Sequence, residues 1–285
     1  MLTIFTPTYN RRELLERAYR SLTEQTRQDF IWLIVDDGST DGTSEQVQEW
    51  IEANQILIRY HVRENGGKMR AHNDGVRLCH TELFLCLDSD DYLGTDAVEQ
   101  IYLCWSRNQD DHVAGIIAHK GESKDKVLGG ASFPACQMST LRGLYRAGFL
   151  GETTLIFRTE ILKQHLFPEI PGEKYVPEDY IYDKIDEKYE FIVLDRILTI
   201  CEIVEEGYTK LAPKLRMENK NGWFLYYEQR AQTEPFSILK MKYICHYIRF
   251  AQETDRNIWK EKRISFREIL LGIPGALLLR LMGKL

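Results

Sequence analysis

Four times in the first third of the chain an apolar run stops at polar, turn-forming residues. Leu2-Thr3-Ile4-Phe5 runs into Thr6-Pro7-Thr8-Tyr9-Asn10, and Ile31 to Val35 into Asp36-Asp37-Gly38-Ser39. Ile56 to Val62 is followed by Glu64-Asn65-Gly66-Gly67-Lys68, and Glu82 to Leu87 by Asp88-Ser89-Asp90-Asp91. Helical stripes separate these runs, and that alternation builds a parallel sheet covered by helices, with ligands gathered at the carboxyl ends of the strands. The expected fold is therefore α/β, a Rossmann-like, mostly parallel central sheet flanked by helices.

The stripes are readable in detail. Asn10 is placed to cap a helix with Leu14, Leu15, Ala18, Tyr19 and Leu22 on one face. Thr43 and Gln46 have capping-box spacing ahead of Val47, Trp50 and Ile51, and Thr95 is expected to cap the helix bearing Val98, Ile101, Tyr102 and Trp105. Beyond Lys120 the alternation loosens: Val113 to Ala118, Thr153 to Phe157 and Phe191 to Ile203 read as strands, and the chain from Pro213 reads as helical. The expected organisation is a domain over 1–210, with a nucleotide-binding half (1–120) and an acceptor half (121–210), and a helical C-terminal extension over 211–285. At 285 residues this fits one domain with an appendage.

The polar strand ends carry the chemistry. Asp88, Asp90 and Asp91 form a cluster that a strand interior does not bury unaided, and a divalent ion holding a diphosphate would neutralise it. Tyr9 offers a flat face and Asp37 a hydrogen-bonding edge to a nucleobase, and Asp88 suits a ribose diol. Gly66 and Gly67 let backbone approach a ligand, with Lys68 or Arg70 beside phosphates; Asn65 and Asn73 either contact the nucleotide or pin the loop. Taken singly, each of these is ordinary turn or cap chemistry. Their convergence on one sheet edge favours a nucleotide site. Glu178-Asp179 ahead of a helix reads, by itself, as a cap and dipole partner.

Charge narrows the function. With 37 Lys and Arg against 43 Asp and Glu the net charge is −6, which disfavours nucleic acid as a partner. Six cysteines without a C-x-x-C pair suggest neither a zinc site nor a disulfide framework, and the seven histidines lack metal-ligand spacing. The start of the chain enters a strand at once, so a cytoplasmic location is expected.

From Leu2 to Tyr208 the sequence resembles the family-2 glycosyltransferases, inverting enzymes with the fold called GT-A. Thr6-Pro7-Thr8-Tyr9-Asn10, Val35-Asp36-Asp37-Gly38-Ser39-Thr40-Asp41, Asn65-Gly66-Gly67-Lys68 and Asp88-Ser89-Asp90-Asp91-Tyr92-Leu93 carry the likeness in order. The resemblance implies a nucleotide-sugar donor, with UDP as carrier, held by Pro7, Thr8, Tyr9, Asp37, Asn65, Lys68, Asp88 and Ser89. It also implies Mn²⁺ or Mg²⁺ on Asp90 of a D-x-D element, and Asp179 as the base that activates an acceptor hydroxyl. No Gln-x-x-Arg-Trp element of the processive synthases is present, so single additions are implied. The acceptor implied is a saccharide, polyprenyl-linked as in bacterial surface-polysaccharide synthesis. Pocket-lining residues expected from the less regular half are Gly151-Glu152-Thr153-Thr154 and Tyr175.

The tail is distinct. From Arg256 to Leu285 seven basic and two acidic residues give a local balance of +5, leaving −11 for the rest. The apolar stretch Ile269 to Leu279 is shorter than the ~20 residues of a bilayer span and holds Pro274, so it is expected either to lie on the inner face of the plasma membrane or to pack on its own domain or a second copy. Two rival functions stand beside the transferase: a nucleotidyltransferase, whose usual glycine-rich first loop is replaced here by Pro7-Thr8-Tyr9-Asn10, and a non-catalytic nucleotide-sugar-binding subunit.

Overall fold

The structure, a computed structural model, describes residues 1–107, 110–201, 208–261 and 263–281. Ile203 at the end of an expected strand, and Lys262 and Lys284 of the basic tail, lie outside the described residues. The chain divides into two compact units, Met1–Leu166 with Ile181–Val204, and Phe167–Tyr180 with Glu205–Leu285.

The first unit opens with β1 (Leu2–Thr8), α1 (Arg12–Thr23), β2 (Phe30–Asp36), α2 (Thr43–Ala53), β3 (Ile58–Val62), α3 (Lys68–Leu78) and β4 (Leu83–Cys86). It continues with β5 (Asp91–Leu93), α4 (Ala97–Trp105), β6 (Val113–Ser123), β7 (Lys126–Val127), β8 (Met138–Ser139), α5 (Leu141–Arg146), β9 (Thr153–Arg158) and α6 (Thr159–Lys163). Helix α7 (Asp179–Asp186) straddles the division, and β10 (Glu190–Cys201) completes the sheet. The strand order is β3-β2-β1-β4-β9-β6-β10-β5. Pairing is parallel from β3 to β4 and between β6 and β10; β9 enters antiparallel between β4 and β6.

Strands β1 and β2 are buried along their whole length, which is why both read as apolar runs rather than alternating ones. Leu15, Ala18, Tyr19 and Leu22 of α1 are buried as their spacing predicts, and Tyr19 stacks on Trp50 of α2 at 4.3 Å between ring centroids. Trp32 of β2 lies beside both, its indole N–H donating to Thr6 Oγ1 at 3.0 Å. This aromatic group fixes α1 and α2 on one face of the sheet.

The helix caps differ from expectation. Asn10 is not an N-cap: it adopts a left-handed φ of 51°, and its Oδ1 accepts from Thr40 N at 2.8 Å, tying the first loop to the second. Thr43 is already helical, and Asp41 Oδ1 accepts from its N–H and hydroxyl. Asp96, not Thr95, holds the N-cap position of α4. In each case the cap follows backbone angles that residue spacing does not encode.

The second unit is helical: α8 (Tyr208–Glu218), α9 (Lys220–Thr233), α10 (Ile238–Glu253), α11 (Ile258–Glu261) and α12 (Phe266–Leu281). Its core contains Trp223, Phe224, Tyr227, Tyr247, Phe250, Ile244, Ile248 and Ile269. The inner face of α12 combines Ile269 and Ala276 with two glycines that face α10. A Cβ on Gly272 would come within 2.6 Å of Ile244, and one on Gly275 within 2.5 Å of Cys245 Sγ, so α10 approaches closely. The tail helix thus packs within its own unit, while Leu270, Leu271, Leu277, Leu278 and Leu281 face outward and are 47–85 % exposed. Among the described residues no helix is long and apolar enough to cross a membrane.

Candidate active site

Within the first unit the loops after the four parallel strands β1 to β4 are linked in a ring. The first loop meets the second through Asn10, whose N–H donates to Ser39 Oγ at 2.9 Å. The second meets the third through Asp37, whose carboxylate accepts from Gly66 N at 2.9 Å, from Gly67 N at 2.7 Å and from the Arg63 guanidinium. The third meets the fourth through Lys68 Nζ and Asp88 Oδ1 at 2.7 Å. The fourth returns to the first through Arg11 Nη1, which donates to Asp90 Oδ2 at 2.9 Å.

Pro7, Thr8, Tyr9, Asp37, Asn65, Lys68, Asp88, Ser89 and Asp90 all fall on this ring or on the strand ends feeding it. Tyr9 is half exposed, as a stacking platform requires. Thr8 is buried at the end of β1, and its hydroxyl has no hydrogen-bond partner among the described residues. Asp37 is buried, and its backbone carbonyl accepts from Asn65 Nδ2 at 2.9 Å, so both residues shape the loop itself. Gly67 has a φ of 93°, and a Cβ on Gly66 would meet Arg63 Nη1 at 2.5 Å, which accounts for the glycine pair.

The acidic cluster is compensated, contrary to the picture of bare carboxylates. Asp91 lies buried in β5, where Lys120 Nζ donates to its Oδ2 at 3.0 Å and stands 4.0 Å from Asp88 Oδ2. Burial alone would raise the Asp88 carboxyl, but Lys68 and Lys120, with Arg11, outweigh it and hold it at about 2. For Asp91 burial outweighs Lys120 and the pKa is raised, with Asp88 adding to the rise. Burial would lower Lys120, yet Asp91 and Asp88 keep it above the ordinary lysine range. Sequence reasoning missed Arg11, Lys120 and Arg63. The one available signal was Lys120, a lysine two places beyond the apolar run Val113 to Ala118.

Asp179 belongs to the second unit, as the first residue of α7. Arg230 Nη2 donates to its Oδ2 at 2.9 Å, and the same guanidinium lies over the Tyr226 ring at 5.3 Å. Burial raises the Tyr226 phenol above its usual range, so at neutral pH the ring stays uncharged beside this pair. Gln229 Nε2 donates to Tyr180 O at 3.0 Å. Upstream, Glu173 accepts from Asn221 N and Gly222 N, both at 2.8 Å, and Asn219 Oδ1 accepts from the N–H groups of Lys174 and Tyr175. The segment leading to Asp179 is therefore fastened to α9 at several points.

Among the described residues no group of three or more His, Cys, Asp or Glu is arranged to hold a metal by itself. The donors present are hard carboxylate oxygens, with Asp90 24 % and Asp88 30 % exposed. They fit a cation such as Mg²⁺ or Mn²⁺ that takes one or two carboxylates and completes its shell with phosphate and water.

A family model described as "Glycosyl transferase family 2" matches residues 3–166. A GalNAc(5)-diNAcBac-PP-undecaprenol beta-1,3-glucosyltransferase of Campylobacter jejuni is 25 % identical over 170 residues, 59 % of this chain and 55 % of that protein. The first curated relatives are matched over 14 %, 18 % and 40 % of their own lengths, so the chain spans less than half of each. Among solved structures, TarS 1-349 of S. aureus in complex with UDP-GlcNAc aligns with a TM-score of 0.64 at 18 % identity, over 96 % of this chain and 78 % of that one. The mannosyltransferase PcManGT of Pyrobaculum calidifontis, in complex with GDP-Man and Mn²⁺, aligns with a TM-score of 0.58 at 18 % identity, over 98 % and 80 %. Likenesses at that identity establish the fold, a GT-A arrangement of central sheet and flanking helices.

Proposed function

This chain belongs to glycosyl transferase family 2, and we propose that it moves a sugar from a UDP-sugar to a hydroxyl of a lipid-linked saccharide acceptor, with inversion at the anomeric carbon. The observation that carries this reading is the ring of four loops, which brings a half-exposed tyrosine and three carboxylates to one sheet edge. In support, the structural neighbour TarS was solved in complex with UDP-GlcNAc, and the Campylobacter relative is named for an undecaprenol-linked substrate.

Tyr9 stacks on the base, Asp37 presents its edge, and Thr8, Asn65 and Ser89 hydrogen-bond the nucleotide. Asp88 takes the ribose diol and Lys68 the phosphates. Asp90 would hold a divalent cation, a reading supported by the Mn²⁺ bound in the neighbour PcManGT, with Mn²⁺ and Mg²⁺ both compatible with its oxygen donors. Such a cation, when bound, supplies charge stabilisation to a departing diphosphate. Asp179, oriented by Arg230, accepts the proton of the acceptor hydroxyl as it attacks the anomeric carbon. One displacement without a covalent intermediate inverts configuration. The outward leucines of α12, with Lys260, Arg263 and Arg267 nearby in sequence, would bring the enzyme to an anionic cytoplasmic leaflet where such an acceptor resides.

Transfer from a panel of nucleotide sugars, assayed with Mn²⁺ and with Mg²⁺, tests the assignment. Asp90→Ala and Asp179→Asn should each lower turnover by about 100-fold or more. Transfer that survives both substitutions would remove these roles.

A further inference from the structure

The proposed chemistry leaves Arg11 and Lys120 unassigned, yet both sit on its carboxylates. Arg11 Nη1 is 2.9 Å from Asp90, Lys68 Nζ is 2.7 Å from Asp88, and Lys120 Nζ is 3.0 Å from Asp91. Three carboxylates thus face three protein cations, and the cluster has no surplus negative charge. A neutral cluster is a poor trap for a bare divalent ion, because placing one on Asp90 sets it against the guanidinium already there. A nucleoside diphosphate changes the balance. Its phosphates are better partners for a guanidinium and an ammonium than carboxylates that must be shared with a metal. Arg11 and Lys68 have long side chains that are 22 % and 16 % exposed, so each can turn from carboxylate to phosphate. Lys120 rises from a sheet strand and stays with Asp91, keeping that residue out of the exchange.

Resting on the reading of Asp90 as metal ligand, we propose that Arg11 is the resting counter-ion of Asp90 and is handed to the phosphates on loading, so that the protein's own charge strengthens the coupling between cation and nucleoside diphosphate. By linkage, UDP must tighten the metal by the same factor as the metal tightens UDP.

The test is Mn²⁺ binding to the full chain, followed by the electron paramagnetic resonance signal of free Mn²⁺, with and without UDP. Wild type should bind Mn²⁺ about tenfold or more tightly with UDP than without it. Arg11→Gln should bind Mn²⁺ alone about tenfold more tightly than wild type and show a smaller gain from UDP, whereas Arg11→Lys, which keeps the charge, should behave as wild type. Equal Mn²⁺ affinity with and without UDP, or an Arg11→Gln variant with unchanged affinity for Mn²⁺ alone, overturns the proposal while leaving Asp90 as a ligand. Mn²⁺ binding that is unchanged in Asp90→Ala overturns the metal assignment and this inference with it.

Discussion

Replacing Asp37 by Asn tests whether the glycine loop is held by one carboxylate. The side chain is buried and accepts from Gly66 N, Gly67 N and Arg63, while Arg63 Nε also donates to Asp74 at 2.8 Å. Asn keeps the shape but has one acceptor where Asp has two. If the amide oxygen stays with Gly66 and Arg63, the new NH₂ confronts the Gly67 N–H. Losing that charge-assisted bond costs about 2 kcal/mol, and the two remaining bonds each weaken by about 1 kcal/mol when the acceptor is no longer ionised. The sum is about 4 kcal/mol, moderated because Arg63 retains Asp74. Denaturant unfolding of the first unit should register this loss, and amide hydrogen exchange at Gly66 and Gly67 should accelerate before the sheet opens. UDP affinity should fall too, since Lys68 follows the loop directly. A change under about 1 kcal/mol, with exchange at both glycines unaltered, would refute the reasoning and leave Asp37 with no structural burden.

Two further outcomes are expected. His246 is buried against the Tyr227 ring at 4.6 Å, its Nδ1 has no partner among the described residues, and burial, with Lys242, Arg216 and Arg249, pushes its pKa from 6.5 to about 4. In that window the unfolded chain binds a proton that the folded one refuses. Stability is therefore intact above pH 6.5 and falls by up to about 3 kcal/mol as the pH drops to 4. His246→Phe should flatten this acid limb in pH-dependent unfolding, and an unchanged slope would contradict it. The double substitution Leu271→Glu/Leu278→Glu, at positions 61 % and 57 % exposed, should leave folding intact and abolish sedimentation with anionic vesicles. At about 1.5 kcal/mol per leucine entering lipid, partitioning should drop on the order of 100-fold; retention of vesicle binding would argue that another surface meets the membrane.

The first 120 residues were largely legible because the order β1-α1-β2-α2-β3-α3-β4 is local: each strand pairs within a few elements of its neighbour in sequence, and the apolar stripes of α1 and α2 are the faces that pack. The insertion of β9 between β4 and β6 was not legible, since pairing across some 70 residues leaves no local pattern. Acidic residues at the strand ends could be named from sequence, but their counter-ions could not. Arg11, Lys120 and Arg230 reach Asp90, Asp91 and Asp179 only through the fold, at separations of 79, 29 and 51 positions. Asn10 and Thr43 show the same limit at short range: Asn10 is left-handed and leaves the N-cap position of α1 to Arg11, and Thr43 is already helical, with Asp41 accepting from it.

The fastening of Phe167–Tyr180 to α9 bears on how this chain can be re-engineered. Glu173, Asn219 and the Gly222 backbone, where a Cβ would stand 2.4 Å from Tyr175 O, lock that stretch to helices that come some 40 residues later. A hybrid spliced at residue 205, pairing this sheet with helices from another transferase, would keep Asp179 in its sequence and lose the scaffold that seats it. A graft that respects the fold needs three junctions, after residues 166, 180 and 204, so that the stretch carrying Asp179 travels with its own helices.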